Sequence, residues 1–116
     1  MIMSYTIIIK QKEKPNGPIT FKPDVSGAVD GQPLGAQVGD NVTWYNKTDL
    51  DLLILQPIPP KIPPEDLTKP IPAGTVSDPI FVVPALNVGE SVTYFCKTPT
   101  EPPHNIQHRI VVIPTT

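Results

Sequence analysis

The chain has 116 residues, a formal net charge of -2, 39% hydrophobic residues and 17 prolines. Its length suits one domain with a single core, and its weak charge gives no electrostatic basis for binding nucleic acid or acidic lipid. Proline, well above its average usage of ~5%, excludes long helices and favours short strands joined by irregular loops. We therefore expect a single all-β domain over residues 1–116 with no nucleic-acid partner.

The first part of the chain predicts two strands and a long loop. Ser4 to Lys10 is β-branched and apolar, which is typical of a strand, and Ile19 to Phe21 predicts a short second one. The Gly-rich stretch from Val25 to Gly39 predicts loop with one ragged edge strand at most. The N-terminus lacks a basic region and a small-residue cleavage site, so it predicts a strand rather than a signal peptide. No apolar run approaches the ~20 residues of a membrane span.

A seven-residue pattern occurs twice, as Val-Gly-Asp-Asn-Val-Thr-Trp at 38–44 and as Val-Gly-Glu-Ser-Val-Thr-Tyr at 88–94. In each copy the Gly permits the positive φ of a tight turn, and an alternating strand follows. We expect two equivalent entries into the sheets of a sandwich. Alternation places Val92, Tyr94 and Cys96 on one face, so Cys96 is predicted to point into the core.

The remaining strands are predicted at Leu50 to Gln56, Ile80 to Val83 and Ile106 to Ile113. In the last of these, His108 shares a face with Ile110 and Val112. The chain thus predicts seven or eight short strands, and its one helical candidate is a single turn at 64–68. This pattern indicates an all-β sandwich.

A Pro-rich insertion at 57–84 contains nine prolines. Its PxxP spacings allow a polyproline II ligand for an aromatic-lined groove. Apolar residues alternate with the prolines, however, which favours an insertion that packs on the domain through Ile58, Ile62, Leu67 and Ile71.

The single cysteine, Cys96, and both histidines, His104 and His108, lie within one short stretch. A soft thiolate and two imidazoles are ligands that copper or zinc prefers, although a core-facing cysteine is more often an inert packed residue. A Cys-His-His set suits cuprous copper, copper with an exogenous ligand, or zinc with an open position. A catalytic Cys-His pair lacks a third group to orient the base, so we expect no enzyme.

Two stretches resemble the cupredoxin family of plastocyanin- and azurin-like copper proteins. Residues 38–49 resemble the Gly-Asp turn and Val-x-Trp-x-Asn strand of that family, and Tyr94-Phe95-Cys96 resembles the strand that delivers its copper-binding cysteine. The loop to His104 and His108 and the final strand follow in the family's order. The resemblance implies a Greek-key sandwich that holds mononuclear copper through Cys96, His104 and His108. It also implies electron transfer with a redox partner protein and an exported location.

The chain departs from the family pattern at its first ligand. Leu52 stands where the family has a histidine, and the loop from Cys96 to His104 is longer than usual. The chain is also similar to the red-copper protein nitrosocyanin, in which a carboxylate replaces that histidine. Asp49 or Asp51 would supply it here, although strand alternation turns Asp51 away from the Leu52 side.

Two functional hypotheses follow. The first is a mononuclear copper-binding protein for electron transfer or copper handling, with an atypical Cys-His-His site. The second is a metal-free cupredoxin-fold interaction module that uses the Pro-rich segment as its distinctive surface.

Overall fold

The computed structural model describes residues 2–11, 19–58, 61–98 and 107–114, with the backbone alone at 56–58 and 61–65. These ranges form nine strands and contain no helix. Within them there is accordingly no helix that could cross a membrane. The strands are β1 (Ser4–Gln11), β2 (Ile19–Pro23), β3 (Leu34–Ala36), β4 (Asn41–Asn46), β5 (Leu53–Ile58), β6 (Lys61–Asp66), β7 (Phe81–Val82), β8 (Ser91–Lys97) and β9 (Gln107–Val112). The all-β prediction is confirmed. The one helical candidate, at 64–68, is not a helix: its first three residues belong to β6, whose backbone pairs with β5.

The strands form two sheets, and the chain passes between them several times. The first sheet has the order β2-β1-β4-β7, and the second has the order β3-β9-β8-β5-β6. Two neighbouring pairs, β1 with β4 and β3 with β9, are parallel, and the other pairs are antiparallel. Parallel neighbours require connections that cross between the sheets, and these crossings produce the predicted Greek-key sandwich.

The core lies between the sheets and follows the predicted alternation. Buried residues recur at every second position of β4 and β9, and in β8 the predicted inward set of Val92, Tyr94 and Cys96 is buried. At the centre the rings of Trp44 and Tyr94 meet edge to face, with centroids 5.1 Å apart. Such aromatic pairs contribute about 0.5–1.5 kcal/mol beyond the area that they bury. The inward orientation of Cys96 is confirmed.

The repeated seven-residue pattern forms two equivalent turns, one leading into each sheet. Gly39 and Gly89 have φ angles of 89° and 90°, a conformation that favours glycine. Both turns make the same two backbone hydrogen bonds with a neighbouring valine. In the first turn, the Gly39 N–H donates to the Val83 carbonyl and the Val83 N–H donates to the Asp40 carbonyl. In the second turn, Val112 is bonded in the same way to Gly89 and Glu90.

The first part of the Pro-rich insertion is built into the second sheet, and β7, near its end, belongs to the first sheet. β5 and β6 pair antiparallel, with Gln56 opposite Glu65 and an irregularity between Gln56 and Ile58. Ile71 is buried and Leu67 packs against the core, so the packed interpretation is confirmed at these two positions. The side chains of Ile58 and Ile62 lie outside the described residues. Because the prolines of β6 lie in a paired strand, this part of the insertion does not present a free polyproline II helix.

Candidate functional site

Cys96 lies near the end of β8, where the chain leaves the second sheet. It is opposite Ile54 on β5, its side chain is fully buried, and its thiol is free. Burial raises the pKa of the Cys96 thiol to about 12, because the apolar surroundings disfavour the thiolate. The thiol is therefore protonated at neutral pH, as expected of a packed core cysteine.

His108 lies opposite Tyr94 in the β8–β9 pair and is buried between the sheets. Its Nε2 is 2.7 Å from the carbonyl oxygen of Gln32, so Nε2 carries the proton and donates it. Nδ1 consequently has a free lone pair, and it accepts a hydrogen bond from the Tyr94 hydroxyl. Both ring nitrogens of His108 are thus engaged, Nδ1 in the buried core and Nε2 at its partly buried edge, where Gln32 is exposed.

Burial sets the charge of this pair. It lowers the pKa of His108 below its ordinary value, because desolvation penalises the imidazolium. It also raises the pKa of Tyr94 well above its ordinary value, because desolvation penalises the phenolate. The Phe21 ring stacks on His108 with centroids 5.3 Å apart, and it meets Tyr94 edge to face at 5.2 Å. Tyr94 and His108 therefore form a neutral, hydrogen-bonded pair inside an aromatic cluster.

The described residues do not by themselves supply the ligands of a mononuclear copper centre. Leu52, at the position of the family's first histidine, is fully buried and forms a β-bridge with Ile71. Within the described ranges, no three His, Cys, Asp or Glu side chains come together as a metal-binding group. His104 lies outside the described residues, so the site of Cys96, His104 and His108 stays a prediction.

The two carboxylates considered for the red-copper arrangement lie at the surface. Asp49 and Asp51 are both exposed. Asp51 Oδ1 accepts a hydrogen bond from the Ala73 N–H at 3.3 Å, whereas its neighbour Leu52 points into the core. The predicted orientation of Asp51, away from the Leu52 side, is confirmed.

Asn46, at the end of β4, organises the loop that leads to Leu52. Its Nδ2 donates to the carbonyls of Leu50 (2.6 Å) and Ile71 (2.9 Å), and its Oδ1 accepts from the N–H and hydroxyl of Thr48. In the sequence, Asn46 is the last residue of the Val-x-Trp-x-Asn pattern, and that pattern assigns it no role. A sequence signal for this role was present. An Asn at the end of a strand favours a turn in which its side chain accepts a hydrogen bond from the backbone two residues later.

A groove of about 450 Å³ opens beside the Pro-rich insertion. Its walls are mostly apolar and carry one carboxylate and one ammonium group. They are formed by Leu53, Asp66, Leu67, Thr68, Lys69, Pro70 and Pro79. The Lys69 ammonium is exposed and lies 3.6 Å from the Asp78 carboxylate.

Comparison with known proteins gives a likeness of fold. No family model and no curated protein sequence match the chain. The chain is similar to the crystal structure of the McoA multicopper oxidase from the hyperthermophile Aquifex aeolicus, with a TM-score of 0.51 and 12% identity over 95% of this chain and 26% of that chain. The 2F4 variant of the same oxidase has a TM-score of 0.47 and 14% identity over the same shares. The chain thus spans about a quarter of the oxidase's length.

The fold is that of a cupredoxin-like β-sandwich, because the domains of multicopper oxidases have this architecture. The predicted fold class is confirmed at this level. The comparisons support no closer relationship to plastocyanin, azurin or nitrosocyanin.

Proposed function

We propose that the chain is a non-catalytic cupredoxin-fold binding module that is stable without a metal ion. One observation carries this proposal: both ring nitrogens of His108 are hydrogen-bonded within the protein, Nδ1 to the buried Tyr94 hydroxyl and Nε2 to the carbonyl of Gln32. Binding of a metal by this imidazole requires the loss of one of these bonds. Leu52 adds an apolar side chain at a second expected ligand position.

The groove is the proposed contact surface of the module. Leu53 and Leu67 provide half-buried apolar walls, and Asp66 and Lys69 provide exposed charges of both signs. Concave, mostly apolar surfaces with a few polar groups are typical of binding sites. This assignment makes part of the Pro-rich insertion, residues 66–79, the distinctive surface of the protein.

Copper binding is the second candidate, and the position of Cys96 favours it. A buried cysteine near the end of β8, within a fold shared with a multicopper oxidase, occupies the strand on which the resemblance expects a copper ligand. His104 is the second proposed ligand. His108 would be the third, after one of its ring nitrogens loses its hydrogen bond to Tyr94 or to Gln32. Bound copper would supply single-electron transfer to a redox partner protein, or it would be a cargo.

Metal titration separates the two candidates. The purified protein is titrated with cupric and cuprous ions and with zinc, and metal binding, visible absorption and the melting temperature are recorded. The metal-free module predicts no stoichiometric binding, no intense thiolate-to-copper band, and a melting temperature that neither metal nor chelator changes. A strong band that disappears in both Cys96→Ser and His104→Gln establishes the copper protein instead.

The groove is tested with a pair of matched substitutions. Leu67→Asp places a charge in the groove, whereas Val76→Asp places the same charge at an exposed position that does not line it. A solvatochromic apolar dye is titrated into both variants and the original protein. We expect Leu67→Asp alone to weaken dye binding, and an equal effect of both variants would refute the groove as the contact surface.

A further inference from the structure

We propose that Tyr94 and His108 form a proton-coupled redox pair. Tyr94 gives one electron to an outer-sphere one-electron oxidant, while its hydroxyl proton moves along the existing hydrogen bond to Nδ1 of His108. This activity is distinct from the proposed binding function, and it requires neither a metal nor the groove.

The proton acceptor is already in place. The Gln32 carbonyl holds the imidazole in the tautomer with hydrogen on Nε2, at a distance of 2.7 Å. The lone pair of Nδ1 is therefore directed at the Tyr94 hydroxyl, with no water or side chain between them. A general base must be within hydrogen-bond reach of the proton that it takes, and this pair meets the condition.

Burial makes the coupling necessary. Tyr94 is 0% exposed, and an uncompensated charge is costly in such surroundings. Loss of an electron without loss of the proton would leave a phenol radical cation inside the core. Transfer of the proton leaves a neutral tyrosyl radical, and the positive charge moves to an imidazolium whose Nε2–H remains bonded to the Gln32 carbonyl.

An aromatic route connects the pair with the surface. The Trp44 ring is 5.1 Å from the Tyr94 ring and 5.9 Å from the half-buried Phe81 ring, between centroids. Because Phe81 is only half-buried, this series of ring contacts leads from Tyr94 to a solvent-accessible side chain, where an outer-sphere oxidant can approach.

The step is balanced by one electron and one proton. The oxidant is reduced by one electron, the Tyr94 O–H bond breaks, and an N–H bond forms at Nδ1 of His108. A one-electron reductant reverses the step, because the electron returns to the ring and the proton returns to the phenolate oxygen. No atom enters or leaves the protein.

The experiment uses the variant Tyr5→Phe/Tyr45→Phe, which keeps Tyr94 as the only one of the three tyrosines. Flash-generated tris(bipyridine)ruthenium(III), with persulfate as the sacrificial acceptor, is the oxidant. Transient absorption and electron paramagnetic resonance record the tyrosyl radical, which is spectrally distinct from a tryptophanyl radical. We expect a tyrosyl radical that forms more slowly in D₂O and at a rate independent of buffer concentration, because the base is internal.

A companion variant adds His108→Gln to this background and removes the base. We expect radical formation to slow by about a hundredfold, a typical contribution of a positioned base, and to become dependent on buffer concentration. Absence of the tyrosyl radical in the single-tyrosine protein, or an unchanged rate with His108→Gln, overturns the proposal. Near-UV circular dichroism checks the fold, and if His108→Gln does not fold, the buffer dependence of the single-tyrosine protein decides: a rate proportional to buffer concentration refutes the pair.

Discussion

The Tyr94 hydroxyl donates a hydrogen bond to Nδ1 of His108 inside the sandwich. The two residues are direct partners across the β8–β9 pair, and His108 continues through Nε2 to the carbonyl of Gln32, in the segment that leads to β3. The imidazole of His108 therefore connects β8 and β9 of the second sheet with the chain segment that runs from β2 to β3. In the sequence His108 suggests a metal ligand. In the structure it is a hydrogen-bonded link between Tyr94 and Gln32.

Tyr94→Phe tests the strength of this link. The substitution keeps the ring contacts with Trp44 and Phe21 but leaves Nδ1 of His108 without a donor. We expect it to lower the free energy of unfolding by about 1–2 kcal/mol, the typical cost of an unsatisfied buried group. Urea unfolding followed by Trp44 fluorescence gives the value. Tyr45→Phe is the control, since this half-buried residue lies on the outer face of β4, and its effect should stay within about 0.5 kcal/mol.

A double-mutant cycle with His108→Phe isolates the pairwise part. Residues in direct contact usually show coupling energies of about 0.5–3 kcal/mol. We expect about 1 kcal/mol between positions 94 and 108. A coupling energy indistinguishable from zero would show that the hydrogen bond contributes nothing beyond ring packing.

The lowered pKa of His108 predicts a pH dependence of stability. The unfolded histidine titrates at its ordinary pKa of about 6.5, whereas burial lowers the folded value. Between these two pKa values the unfolded state binds more protons, so the contribution is complete above about pH 6.5 and is lost as the pH falls through the folded pKa. We expect the free energy of unfolding to decrease from pH 7.5 to 5.5. This slope should flatten in His108→Gln and persist in His104→Gln; equal slopes in all three proteins would exclude His108 as its source.

Strand alternation predicted much of the fold and of this site, because a period of two decides which side chains face the core. It correctly directed Tyr94, Cys96 and His108 inward. It did not predict the bond between Tyr94 and His108, since that bond depends on the register of β8 against β9, which local sequence does not determine. Nor did it predict the bond to Gln32, because a backbone carbonyl is present at every residue and carries no sequence signal.

The two equivalent turns offer a matched pair of carboxylates. Asp40 is buried and accepts hydrogen bonds from the N–H groups of Gln37 (2.9 Å) and Met3 (3.0 Å). Glu90 is exposed and accepts from the Asn87 N–H at 2.8 Å. We expect Asp40→Ala to lower the free energy of unfolding by about 3 kcal/mol, because hydrogen bonds to charged groups are strong and a donor is left without a partner.

Glu90→Ala should lower the free energy of unfolding by less than about 1 kcal/mol, because water replaces the lost acceptor at an exposed site. Chemical unfolding of both variants provides the comparison. Equal losses would mean that the partly buried hydrogen bond from the Met3 N–H, just before β1, to Asp40 contributes no stability of its own.

The burial of Cys96 predicts slow thiol chemistry. A rise of the pKa from about 9 to about 12 reduces the thiolate fraction near pH 8 by about a thousandfold. We expect the folded protein to react with a disulfide reagent such as DTNB at a small fraction of the rate in denaturant, where its single thiol reacts fully. Destabilisation by Tyr94→Phe should raise the folded-state rate, since reaction then proceeds through opening. Rapid reaction of the folded protein would place the thiol outside the core.

Asn46→Ala tests the loop that connects β4 with the Leu52 position. Asn46 is 0% exposed, and four hydrogen bonds from its side chain connect Thr48, Leu50 and Ile71. Their removal leaves buried backbone groups without partners, so we expect a loss of about 3 kcal/mol in thermal or urea unfolding. Asn41→Ala is the control, because Asn41 begins the same strand, is likewise followed two residues later by a Thr, and is only half-buried. A comparable loss in both variants would contradict a specific role for Asn46. A selective loss would show that the side-chain hydrogen bonds of Asn46 order the loop before Leu52.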